Sequence, residues 1–182
     1  MRAIVLSVLI LAGCIPSLHE IYTEDDVVFD PALMGTWNQA DGQGRWEFSR
    51  SGEKAYRLVY SDKDGRKGAF VVHLVKIGDL RFLDLYPEDP KLEENDFYQL
   101  HLLPAHTFMH VPQVEPTLKL SVLNPEWLEK LLEQDPDAIR HEKVKDRLVL
   151  TASTAELQAF LTSHHATEDA FADPLELTRA QE

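Results

Sequence analysis

The residues able to do chemistry are few and scattered. One cysteine, Cys14, stands alone in 182 residues, so no disulfide can form within the chain. His101, His106 and His110 fall within ten residues, and strand alternation would put His106 and His110 on one face. Catalytic zinc takes three protein ligands held by outer partners. No recognised ligand spacing occurs, and His141-Glu142-Lys143-Val144-Lys145 lacks the second histidine of a zinc-protease helix. The three histidines are read as half-exposed strand residues. Asp62-Lys63-Asp64-Gly65 has part of a calcium-loop pattern, but the first ligand position would be Tyr60 and the twelfth Val71, neither suitable. It is read as a turn. No Gly-x-Ser-x-Gly nucleophile and no phosphate-cradling glycine loop are present. Carboxylate pairs such as Asp84 and Glu88 arise by chance among 31 acidic residues. The chain reads as a non-enzyme without metal or cofactor.

The lone cysteine gains meaning from its setting. Met1 and Arg2 are followed by an apolar run from Ala3 to Leu11, the small residues Ala12 and Gly13, and then Cys14. This is the n-region, h-region and small-residue cleavage site of a secretory signal. The apolar stretch is shorter than the roughly 20 residues a membrane-spanning helix needs. Leu11-Ala12-Gly13-Cys14 resembles the lipobox of bacterial lipoproteins. The resemblance implies a diacylglyceryl group on the Cys14 sulfur, cleavage before Cys14, and often N-acylation of the new terminus. Two or three acyl chains at about 0.8 kcal/mol per buried CH₂ make a lasting anchor. An ordinary signal peptide with an incidental cysteine is the alternative. Ile15 stands where an aspartate would, by the same resemblance, favour inner-membrane retention. In an organism with two membranes, the protein is expected on the periplasmic face of the outer one.

Charge narrows the partners. The chain carries 31 acidic and 18 basic residues, a net charge of −13. Nucleic-acid binding needs clustered Lys and Arg to release counterions, and no basic stripe exists. Anionic headgroups should be repelled as well, so the expected membrane link is the lipid on Cys14.

Around these residues the organisation reads in four parts. Residues 1–13 are the signal peptide, and 14–30 a lipidated N-terminus and short tether carrying the acidic cluster Glu24-Asp25-Asp26. A β-rich domain spans 31–165, and 166–182 is an acidic flexible tail with few large apolar groups. Within the domain, Gly44–Phe48, Tyr56–Tyr60, Phe70–Leu74 and Leu80–Tyr86 alternate apolar and polar residues as half-buried strands do. Asp62–Gly65 and Gly78-Asp79 are hairpin turns. Further strands are expected at Phe97–Leu103, His106–Val111, Thr117–Leu123 and Arg147–Thr151. A helical segment over about 124–146 starts at Asn124-Pro125, with a second short helix from Pro136. Ser153 and Glu156 form a capping-box pattern for another helix. The fold class is mainly β (α+β), an antiparallel up-and-down meander with C-terminal helices. Closing it into a barrel would remove the exposed edges.

Gly35-Thr36-Trp37 resembles the Gly-x-Trp that opens the lipocalins and their calycin relatives. The resemblance implies a lipocalin-like barrel with Trp37 plugging its closed end and an internal hydrophobic site. The chain departs from that family in lacking the later loop motifs and in its helical interruption. Trp37 would otherwise be a core tryptophan of another β-rich fold. Trp37, Trp46, Tyr56, Tyr60, Phe70 and Phe82 are the candidate ligand-binding residues. The same rings could instead fill a solid interior, as small barrels often do. Two functions remain. One is binding a small apolar ligand in a calycin-like barrel. The other is a non-catalytic interaction or accessory module of an envelope complex, suggested by the acidic segment Asn124–Asp146.

Overall fold

The structure is a computed structural model that describes residues 14–89, 93 and 95–181. The signal peptide and its lipobox residues before Cys14 lie outside the described residues. A short strand β1 (Val27–Val28) and one 3-10 turn (Pro31–Leu33) precede the meander β2 (Gly35–Gln39), β3 (Gly44–Arg50), β4 (Ala55–Asp62), β5 (Lys67–Ile77) and β6 (Leu80–Pro87). A short helix α1 (Asp96–Gln99) interrupts before β7 (Thr107–Gln113) and β8 (Thr117–Val122). Then come α2 (Pro125–Gln134), β9 (His141–Val144), β10 (Arg147–Leu150), α3 (Thr154–His164) and β11 (Leu175–Arg179).

Eight strands close on themselves. The order β5-β4-β3-β2-β11-β8-β7-β6 returns to β5 through the β5–β6 pairing, and every pair is antiparallel. The chain is therefore mainly β, with an up-and-down barrel of lipocalin-like architecture and short helices. Strict alternation makes the closure possible, because period 2 sends one set of side chains inward from every stave. Trp37, Trp46, Phe48, Tyr56, Leu58, Val72, Leu74, Leu83, Leu85, Met109, Leu118, Leu120 and Leu177 form one buried cluster inside. The lumen is thus occupied by side chains.

The outer wall carries a second cluster. Val75 and Phe82 face each other across β5–β6 on the outside. They are covered by Leu128 and Leu132 of α2 and by Leu157, Phe160 and Leu161 of α3. Asn124 caps α2 and Ser153 closes a true capping box on α3, as their spacing predicts.

Five expectations need correction. The segment 166–182 is not a loose tail: Leu175–Arg179 is a stave, paired to β2 on one side and β8 on the other. The strand expected at Arg147–Thr151 is present as Arg147–Leu150 but lies outside the barrel. It pairs with β9 as a separate hairpin. Phe97–Leu103 is not a strand either, because Asn95 accepts from the Tyr98 amide and caps a helical turn. No helix begins at Pro136, where the chain turns into β9. The arm 14–30, read as a tether, lies strapped along the barrel. Ser17 exchanges backbone bonds of 2.9 and 2.8 Å with His106, and Leu18 and Leu150 extend the pairing toward β10. Ile21 is fully buried.

Candidate functional site at the barrel mouth

The two ends of the barrel differ. At the closed end Asp30 caps the 3-10 turn, its Oδ1 accepting from the Ala32 amide at 2.9 Å. Trp37 is fully buried, and its Nε1 donates to the Leu33 carbonyl at 2.9 Å. The Arg179 guanidinium lies 4.3 Å from the Trp37 ring centroid. It also donates to the carbonyls of Met34 and Ala32, at 2.8 and 2.6 Å, and to Glu115 at 3.2 Å. Tyr56 adds a strut, its hydroxyl accepting from the Asp30 amide and donating to the Asp30 carbonyl. Among the described residues no buried side-chain polar atom at this end lacks a partner, so this end is a plug. Arg179 went unnoticed in the sequence, where nothing marks a lone arginine 142 positions from its tryptophan.

The open end is different in kind. The loop between β6 and β7 rises from it. Tyr86, Pro87, Asp89, Gln99, Leu102, Leu103 and Pro104 line a cavity of about 390 Å³ beneath that loop. That volume falls in the range of small-molecule pockets. Phe70, half-buried, sits opposite Pro87 in the β5–β6 register. Tyr60 follows across β4–β5, opposite Gly68, and its ring meets Trp46 edge-on at 5.1 Å. The Trp46 Nε1 is buried and has no hydrogen-bond partner among the described residues. A bare buried donor costs about 1–3 kcal/mol. Burial, then the charges of Asp62 and Asp41, pushes the Tyr60 phenol pKa up, so the hydroxyl stays protonated.

The six candidate aromatics therefore do not converge on one site. Trp37, Trp46 and Tyr56 are core of the lumen, whereas Tyr60 and Phe70 stand half-buried at its edge. Phe82 faces outward, under the helices, against His110 and Phe171. Of the pocket residues, Tyr86 and Pro87 end β6, while Leu102 and Leu103, which sequence reasoning missed, belong to a loop whose apolar residues imitate a strand.

The histidines scatter as well. His101 bonds the Phe97 carbonyl, His110 packs on Phe82, and His106 Nδ1 lies 2.7 Å from Asp84 Oδ1. Among the described residues no three His, Cys, Asp or Glu side chains are grouped to hold a metal. Asp84 and His106 have the geometry of an acid–base pair, yet their partners give them a structural task. Asp84 is 1% exposed, and its other oxygen accepts from the Ile21 amide at 3.0 Å. It thus ties β6, the entry to β7 and the N-terminal arm together. Tyr22 nearby is pushed up to about 12, by burial and then by Asp84 and Glu20. Asp62, the calcium-like turn residue, is occupied by the Asp64 and Arg66 amides and the Arg66 guanidinium.

A broader groove of about 830 Å³ lies outside the barrel, between α3 and the chain from Pro136 to Glu142. Arg140 and Glu156 pair across it at 3.1 Å. Cys14 packs, half-buried, against the lumen cluster, and burial raises its thiol pKa. A free thiol there would be a poor nucleophile. Comparison of the chain with protein-family models, with curated proteins and with solved structures finds no match to any of them.

Proposed function

We propose that this chain is a lipid-anchored cell-envelope protein, held by acyl chains on Cys14, whose calycin-like barrel takes a small apolar ligand at its mouth. The anchor rests on Leu11-Ala12-Gly13-Cys14 and the apolar run before it. In a two-membrane organism the protein faces the periplasm from the outer membrane. The binding reading is carried by one observation, the cavity of about 390 Å³ walled by Tyr86, Pro87, Leu102, Leu103 and Pro104. The filled lumen moves the ligand from the interior to the rim. Phe70 pairs with the lining residue Pro87, and Trp37 and Tyr56 hold the scaffold at the opposite end.

The test is titration with a fluorescent apolar probe such as Nile red. A saturable, one-to-one signal that falls at least tenfold in affinity in Leu102→Asp protein supports the reading. A signal indifferent to that change, in protein with an unaltered melt, refutes it.

The second reading, an accessory module of an envelope complex, is favoured by the same filled lumen, since a solid barrel serves as a docking body without a ligand. Recovery of a defined protein neighbour by crosslinking in the native envelope, with no probe binding at the mouth, selects it.

A further inference from the structure

Large apolar side chains left in water are concentrated at one place. Phe97 (76% exposed), Tyr98 (52%), Leu100 (74%), Leu102 (46%) and Leu103 (79%) crowd one short stretch of the mouth loop, and Leu18 (46%) stands on the arm beside it. Exposed apolar residues scattered singly need no explanation, but a contiguous group marks an interaction surface.

We propose that this loop docks into the interface of a lipid bilayer, mouth toward the membrane. The inference rests on the reading of Cys14 as the anchor. Ser17, three residues after Cys14, is paired with His106, three residues after Leu103. The pairing is antiparallel, so Cys14 and Leu103 lead away from it in opposite directions, at most about 27 Å apart along that path; the anchor keeps the loop within that reach of the bilayer. The residues suit that surface. Phe97 and Tyr98 are rings of the kind that settle at headgroup depth, and Leu100 and Leu103 present aliphatic bulk. The surrounding charge selects the lipid. Asp89, Glu93 and Asp96 flank the loop, in a chain of net charge −13. Docking is thus apolar and favours zwitterionic over anionic headgroups. It also brings the rim cavity to the bilayer, where acyl chains are the abundant apolar ligand.

The test separates the patch from the anchor. The chain from residue 14 with Cys14→Ser cannot be acylated at that sulfur, and it retains every described element. It is expected to co-sediment with phosphatidylcholine vesicles, and Leu100→Glu/Leu103→Glu protein to bind at least tenfold more weakly with an unchanged melt. In Phe97→Trp protein, acyl-brominated vesicles are expected to quench the introduced indole. Equal binding by the double variant, no quenching, tighter binding to phosphatidylglycerol, or a patch-dependent dimer in solution would each overturn the proposal. A failed anchor shows separately, as unmodified Cys14 in native protein, and leaves these results intact.

Discussion

Arg179 lies over Trp37, its guanidinium carbon 4.3 Å from the ring centroid, at the register position where β11 meets β2. One contact thus joins the last stave to the first and seals the closed end. Gly35 makes room for it. Its φ is +111°, which favours glycine, and a Cβ there would fall 2.8 Å from Arg179 Nη1 and push the guanidinium aside.

Arg179→Ala should lower stability by about 1–3 kcal/mol, through the lost cation–π contact and charged hydrogen bonds. Arg179→Lys should recover little, because a point charge cannot replace the planar fork that reaches Met34 and Ala32 together. Urea midpoints check this, and a fully restored lysine variant would contradict it. Gly35→Ala should destabilise by a similar amount, through strain at the positive φ and the collision with Arg179.

Much of the barrel was legible in the sequence, and the reasons for the rest are physical. β3 to β6 announce themselves because each repeats large inward residues with period 2, and Asp-Gly or Gly-Asp marks the turns before β3, before β5 and before β6. Leu175-Glu176-Leu177 alternates too, yet it is two residues of signal inside an acidic stretch. Its burial comes wholly from neighbours far away in the chain. Phe97 to Leu103 misleads in the opposite direction, since apolar content there reflects exposure at a rim and no sheet. The mouth site was illegible for the same reason. Tyr86 and Leu103 become neighbours only after β6 and β7 have paired.

Leu177 gives the direct test of the last stave. It is fully buried between Leu118 and Gln39. Leu177→Ala should cost about 2–5 kcal/mol, and a chain ending after Pro174 should fail to fold. Retention of the native melt by the truncated chain would show that residues 175–179 are dispensable.

Asp84 holds the N-terminal arm. Asp84→Ala leaves the His106 ring and the Ile21 amide without their acceptor, for a loss of about 3 kcal/mol. Hydrogen exchange should then accelerate at Ile21 and along the arm before it does so in β3 or β4. Uniform acceleration everywhere would mean that the arm is no separate unit.

Acid should weaken the fold through two histidines. Burial, most of all, lowers the pKa of His73 and His110 below the ordinary 6.5. The unfolded chain then binds more protons than the native one as pH drops. The stability held by the neutral rings is complete above about 6.5 and is lost as pH falls through their folded values. Wild-type protein should lose more of its urea midpoint between pH 7.5 and 5.0 than His110→Phe protein does. An identical loss in the two would contradict the assignment to His110.

Anchoring at the envelope depends on the sulfur of Cys14. Intact-mass spectrometry of protein extracted from membranes of its native host tests it directly. A chain beginning at Cys14 and carrying a diacylglyceryl adduct is the predicted result. A free thiol on an uncleaved chain beginning at Met1 would contradict it.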